Sequence, residues 1–178
     1  MTRFPLSLRL AVLSGALAVL ACTGPVAVDT RRSAELDVAS YDGFELTVSS
    51  GEAAASSGEA PPLALLERGA RGLILERGYI GADAASSALE IRLVAVSEFV
   101  VRRTWSADPG YNGYVERERE EAVLTLSAFD DARGVEVWRG ESRVRLPEPG
   151  LVVGPSRETV WMEGLAELVE QLPRSAAD

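Results

Sequence analysis

The chain has 178 residues, a formal net charge of −9 and a globular balance of 47% hydrophobic to 25% charged residues. So acidic a chain is not expected to bind nucleic acid, which requires a basic surface. It contains no histidine and only one cysteine. This composition excludes an internal disulfide and a multi-cysteine zinc site, and it removes the commonest general base.

The N-terminus carries the features of an export signal. Arginines precede an apolar stretch over residues 10–21, which is shorter than the about 20 residues of a membrane-spanning helix. The following "VLAC" resembles the lipobox of bacterial lipoproteins, which implies cleavage before Cys22 and lipid on that cysteine. By the enterobacterial sorting rule, Thr23 instead of Asp after the cysteine points to the outer membrane. The alternative is an ordinary signal peptide with a fortuitous cysteine.

The rest of the chain is predicted to form one domain. The expected division is a signal peptide over residues 1–21, a lipidated tether over 22–33, a single α+β domain over 34–173 and a tail over 174–178. Within the tether, Val26 and Val28 alternate with polar or small residues, which also permits a short strand.

The first half of the domain predicts a strand, a loop and a helix. Apolar and polar residues alternate over 44–48, which is typical of a half-buried strand, and the small polar residues of 49–60 indicate a flexible loop. A helix follows Pro61 and Pro62 and ends at Gly78. Its apolar stripe consists of Leu63, Leu66, Ala70, Leu73 and Ile74.

The second half predicts three strands and a second helix. The clearest strand covers residues 87–105, after which 106–120 is predicted to be a hairpin-type loop. Residues 121–129 and 135–146 flank "DDARG" and indicate an antiparallel hairpin. Ser156 can cap a final helix that ends at Pro173. The apolar stripe of this helix consists of Trp161, Leu165, Leu168 and Leu172. The expected fold is α+β, with a small, mainly antiparallel sheet of about four to five strands and two helices packed on one face.

Three segments and the lipobox together resemble one bacterial lipoprotein family. They are "LLERGARGLILERGY", "AVLTLSAFDDARGVEVWRG" and the final helix ending in "QLP", and the family is domain of unknown function 4136. The matching motifs are Gly78-Tyr79, Asp131-Ala132, Val137-Trp138-Arg139-Gly140 and Leu172-Pro173. The segment around Asp37 and Tyr41 departs from the family by lacking its Phe and Trp. The resemblance covers about residues 26–173, and it implies a small α+β fold without an established enzymatic activity.

Two groups of residues are candidate binding sites. Trp138 and Arg139 form either an exposed recognition patch or a core tryptophan beside a solvent-facing arginine, and the second interpretation is favoured. Trp105, Tyr111 and Tyr114 form either a ligand-contacting loop or a hairpin tip whose aromatic rings cover the sheet edge.

A charged run follows the aromatic loop. In "ERERE", the acids Glu116, Glu118 and Glu120 alternate with Arg117 and Arg119. In a strand, this alternation places the acids on one face and the arginines on the other. The run either binds a charged partner or forms a solvated edge, and the edge is the favoured interpretation.

The sequence offers little support for catalysis. There is no histidine or lysine to activate a nucleophile, and Asp130-Asp131 is better explained as part of a turn than as a metal site. No cofactor, metal or enzymatic activity is therefore expected. The expected function is that of an accessory or binding module of the envelope, anchored through Cys22, facing the periplasm and contacting an envelope protein. A lipid or small-molecule carrier is the alternative, and an unusual hydrolase is a more remote one.

Overall fold

The computed structural model describes residues 26–32, 37–51, 60–106, 113–148 and 154–176. In these residues, a six-stranded sheet carries two helices on one face. The strands are β1 (Ala27–Arg32), β2 (Gly43–Ser50), β3 (Ile80–Gly81), β4 (Ala88–Ser106), β5 (Gly113–Asp130) and β6 (Val135–Arg145), and the helices are α1 (Leu63–Glu76) and α2 (Arg157–Glu170). None of the helices in the described part of the chain is long and apolar enough to cross a membrane.

The sheet is mixed, with the strand order β1-β6-β5-β4-β2-β3. As predicted, β4, β5 and β6 form an antiparallel meander. β2 runs parallel to β4, because the chain crosses over through α1 between these two strands. The α+β class is confirmed, whereas the predicted four to five strands are corrected to six, in a mixed sheet with three antiparallel and two parallel strand pairings.

The two ends of the domain extend further than the sequence predicted. β1 lies within the expected tether and pairs antiparallel with β6, while Val26 and Val28 pack against the core. At the other end, Ser175 belongs to the fold rather than to a tail. Its backbone N–H donates to the Arg77 carbonyl (3.1 Å) and its hydroxyl donates to the Tyr41 carbonyl (2.9 Å).

Both helices follow the predicted apolar stripes. α1 begins after Pro61 and Pro62 and buries Leu66, Ala70 and Ile74, while Leu63 and Leu73 are half-buried at the rim of the core. In α2, Ser156 accepts a hydrogen bond from the Thr159 N–H (3.1 Å), which caps the first turn. The stripe of α2, made of Trp161, Leu165, Leu168 and Leu172, is buried.

Charged side chains close the helix-free face of the sheet. Arg143 on β6 reaches across β5 to form an ion pair with Glu98 on β4 and also pairs with Glu141. Arg92 lies 4.5 Å from the centre of the Phe129 ring. The apolar stems of these arginines cover the sheet while their charges remain in solvent, so the described part of this face is compatible with water.

Candidate functional site

β4 and β5 extend beyond the rest of the sheet. β2 pairs with β4 only as far as Ala95, and β6 pairs with β5 only as far as Glu121. Beyond these points eight residue pairs, from Phe99–Glu120 to Ser106–Gly113, form a two-stranded ribbon. This ribbon, here named the arm (residues 99–106 and 113–120), is about 25 Å long at about 3.3 Å per residue.

The arm exposes apolar side chains on the face that continues the helix-covered side of the sheet. Seven large apolar side chains of the described residues are strongly exposed, and four belong to the arm: Phe99, Val101, Trp105 and Tyr114. Their exposed fractions are 49%, 61%, 56% and 58%. Among the residues that the structure describes, the arm therefore holds most of the strongly exposed large apolar side chains.

The charges of the arm differ between its two faces, as the alternation in "ERERE" predicted. Glu116 and Glu118 share the apolar face, whereas Arg117, Arg119 and Arg102 occupy the opposite face. Arg119 pairs with Glu121 at 2.6 Å. The apolar face thus carries two acids together with Arg103, which pairs with Glu116 at 3.6 Å, whereas the opposite face of the arm carries three arginines.

The aromatic candidates meet at the outer end of the arm. Trp105 and Tyr114 are directly opposite in the strand register, and their rings pack edge to face with centroids 5.0 Å apart and an interplanar angle of 82°. Such a pair contributes about 1 kcal/mol of stability beyond the effect of its buried area. This contribution stabilises a two-stranded ribbon, which is only marginally stable by itself. Arg103 lies 5.3 Å from the Tyr114 ring centre. Tyr111 and Cys22 lie outside the described residues.

A buried ion pair holds the base of the arm. Both terminal nitrogens of Arg157 donate to the carboxylate of Glu120, at 2.7 and 2.9 Å, and the hydroxyl of Ser97 also donates to it. Burial of this carboxyl opposes ionisation, but the hydrogen bonds from Arg157 and Ser97 outweigh burial, and the pKa of Glu120 lies below its usual value. Glu120 was expected to be solvated with the rest of its run, and its 8% exposure corrects that interpretation.

Trp138 and Arg139 do not form a recognition patch. Trp138 is 1% exposed and lies in the core, whereas Arg139 is on the helix-free face and pairs with Glu136 at 3.7 Å. The indole lies over Gly140, where a Cβ would be 3.0 Å from Cζ2 of the ring. The favoured interpretation, a core tryptophan beside a solvent-facing arginine, is therefore confirmed, and the recognition patch is wrong, because neighbouring strand residues point to opposite faces.

The other polar clusters serve local structure. Asp42 accepts hydrogen bonds from the backbone and side chains of Ser86 and Ser87, and these bonds hold the pKa of Asp42 well below its usual range. A carboxylate with so low a pKa is a poor general base. The Tyr41 hydroxyl donates to Asp130 at 2.8 Å. The described ranges contain no group of acidic, histidine or cysteine residues arranged to hold a metal ion.

The aromatic residues of the arm were recognised in the sequence, but the strand that carries Tyr114 was not. Residues 106–120 were predicted to be a loop, whereas β5 begins at Gly113. The strict alternation of "YVERERE" was the available signal for a strand. The sequence analysis also missed Arg157 as the partner of Glu120. A cation in the first turn of a helix opposes the helix dipole, which was an indication that this arginine has a specific partner.

Comparison with known proteins gives only distant similarities. No protein-family model matches the sequence, and no curated protein matches it. A PelC dodecamer structure from Paraburkholderia phytofirmans is 13% identical, with a TM-score of 0.49 over 85% of this chain and 99% of that chain. A PDZ domain protein from Parabacteroides distasonis is 11% identical, with a TM-score of 0.46 over 84% of this chain and 36% of that one. A minor lipoprotein from Acinetobacter baumannii is 14% identical, with a TM-score of 0.36 over 74% and 88%. Similarities this remote assign no function.

Proposed function

We propose that this protein is a lipid-anchored binding module of the bacterial cell envelope. The lipid on Cys22 holds it at the outer membrane, the domain faces the periplasm, and the arm contacts an envelope protein. It acts by binding rather than by catalysis. The observation that carries the proposal is the exposed Trp105–Tyr114 pair on a ribbon that extends beyond the core.

The anchor is supported by the sequence. The lipobox places Cys22 directly after the apolar stretch 10–21, and the resemblance to domain of unknown function 4136 also implies a lipoprotein. Two or three acyl chains on one residue give stable membrane attachment, whereas a single chain is marginal. In fractionated cells, we expect the wild type in the outer membrane and Cys22→Ala as a slower-migrating, unprocessed form. An unchanged mass and location of Cys22→Ala would contradict the anchor.

The arm has the composition of a contact surface. Tryptophan, tyrosine and arginine are the residues that contribute most to binding at protein interfaces, and Trp105, Tyr114 and Arg103 are neighbours at its outer end. These side chains lie outside the core and do not contribute to its packing. A partner that covers this apolar face removes it from water.

The carrier alternative requires an apolar cavity between the sheet and the helices. In the described residues, α2 instead lies directly on the sheet at Gly164, where a Cβ would be 2.7 Å from Val144 Cγ2. Leu124, Leu126 and Leu165 are fully buried in the same layer. This packing favours the binding module over the carrier.

The arm is tested by mild cross-linking in intact cells of the native host, followed by purification and mass spectrometry. The variant Trp105→Ser/Tyr114→Ser removes the aromatic pair. The matched control Leu75→Ser/Ile80→Ser removes two other exposed apolar side chains, which lie in α1 and β3. We expect the arm variant to lose a partner that the control retains. Equal recovery of that partner with both variants would contradict the arm assignment.

A further inference from the structure

A second apolar surface lies between the two helices. α1 and α2 run side by side in the same direction, since Pro62 and Trp161 are neighbours at one end and Arg77 donates to the Leu172 carbonyl at the other. Their outer faces leave an open depression of about 450 Å³ that continues into one of about 280 Å³. Leu73, Glu76 and Ala166 line both, so we treat the two as one inter-helix groove.

The floor of the groove is apolar and includes several small residues. It is made of Gly69, Gly72, Leu73, Met162 and Ala166. A Cβ at Gly72 would meet nothing within 4 Å. At Gly69, by contrast, a Cβ would overlap the Met162 side chain, so the room for another backbone to approach closely lies at Gly72.

The charged side chains that α2 contributes to the groove are all acidic. Glu163, Glu167 and Glu170 line it at i, i+4 and i+7, and none of them forms an ion pair with a residue of the described ranges. Like charges at these spacings are unfavourable in a helix. On the sheet, by contrast, Glu90 and Glu121 each form an ion pair with an arginine. Arg68 lines one end of the groove, and Arg77 and Arg174 line the other. Because the acids of α2 form no ion pair with these arginines in the described ranges, the α2 wall still presents unpaired carboxylates beside an apolar floor.

We propose that the inter-helix groove binds an amphipathic helix of a partner protein with basic residues on one flank. Apolar side chains of that helix would pack on Leu73, Met162 and Ala166, and its Lys or Arg residues would pair with the acids of α2. The groove extends alongside α1 from Arg68 to Arg77, which is about 14 Å or between two and three helical turns. A helix fits here better than a strand, because neither wall offers free backbone groups for strand pairing.

The geometry also favours a protein partner over a membrane. The acids of the α2 wall would be repelled by an anionic lipid surface. A groove between parallel helices accepts the side-chain ridge of a third helix. This surface is separate from the arm, and the inference does not depend on the proposed function.

The test uses the full-length protein in detergent and a labelled synthetic peptide of about 14 residues, with leucine on one face and lysine on the other. Fluorescence anisotropy at physiological salt reports binding. We expect Glu163→Gln/Glu167→Gln/Glu170→Gln to weaken binding by about tenfold. The charge-matched control, Asp29→Asn/Glu45→Gln/Asp83→Asn, changes acids that do not line the groove, and it is expected to retain affinity.

A second pair of variants tests the floor. Ala166→Arg places bulk and positive charge in the groove and is expected to weaken peptide binding, whereas Ala64→Arg, at an exposed α1 position outside the groove, is not. A scrambled peptide of the same composition is expected to bind weakly. Equal effects of groove and control variants, equal binding of the scrambled peptide, or no binding would overturn the proposal. Trp105→Ser/Tyr114→Ser is expected to leave peptide binding unchanged, which keeps this test independent of the arm.

Discussion

Arg157, the first residue of α2, forms two hydrogen bonds with the carboxylate of Glu120 at the base of the arm, at 2.7 and 2.9 Å. The same guanidinium donates to the Pro147 carbonyl at 3.0 Å. These contacts join the helix layer, the start of the arm and the segment after β6 at one point. A charge pair therefore ties the base of the arm to the helix layer of the domain.

Breaking this pair from one side should destabilise the domain. Arg157→Leu leaves the 8% exposed Glu120 without its cation, which is expected to cost about 3 kcal/mol. The double variant Arg157→Leu/Glu120→Leu should recover much of that loss, because no buried charge remains. Urea unfolding of the three proteins gives these differences. An Arg157→Leu variant as stable as the wild type would contradict the role of the pair.

The same pair predicts a pH dependence. Because the pKa of Glu120 is lowered in the folded protein, its contribution to stability is fully present above the pKa of the unfolded chain, about 4.3 for glutamate. This contribution is lost as the pH falls from that value through the folded pKa. The difference in unfolding free energy between wild type and Glu120→Gln should be constant near neutral pH and shrink below about pH 4.5. A difference that grows on acidification would have the wrong sign.

Substitutions of the adjacent residues Trp138 and Arg139 should have very different effects on the stability of the domain. Trp138→Ala leaves a cavity at a core position that is 1% exposed. This substitution is expected to lower the free energy of unfolding by about 4 kcal/mol. Arg139→Ala removes an exposed side chain with a 3.7 Å ion pair and should change stability by less than about 0.5 kcal/mol. Thermal and urea unfolding test both. Similar losses for the two variants would contradict their placement on opposite faces.

Two helical glycines should respond to alanine in opposite directions. Gly72→Ala in α1 is expected to raise stability by about 1 kcal/mol, since the added Cβ meets nothing within 4 Å and alanine favours the helix. Gly164→Ala in α2 is expected to lower it by about 2 kcal/mol, because the Cβ would lie 2.7 Å from Val144 Cγ2. Destabilisation by Gly72→Ala would show that this part of α1 is packed more tightly than described.

The sequence predicted those elements that depend on local pattern. The stripe of Leu66, Ala70 and Ile74, the left-handed Gly78 with φ 93° and the Ser156 cap all follow from spacing and backbone chemistry. These signals lie within one element, so they are readable without knowledge of the rest of the fold.

Features that depend on distant partners were not predictable in the same way. Whether β1 joins the sheet depends on β6, and the burial of Glu120 depends on an arginine 37 positions away. The β4 side of the arm was part of the predicted strand 87–105, whereas its β5 side was missed because a strand that extends beyond its sheet has the polar composition of a loop. The inter-helix groove depends on how α1 and α2 lie against each other, which neither stripe specifies.

The most direct test of the central claim is site-specific photo-cross-linking in the native host. A photoreactive phenylalanine analogue is placed at Trp105 in the arm or at Ile80 in β3, both of which are exposed. We expect a discrete cross-linked product from position 105 that requires the Cys22 anchor, and none from position 80. No product from position 105, or the same products from both positions, would contradict the arm as the surface through which this protein works.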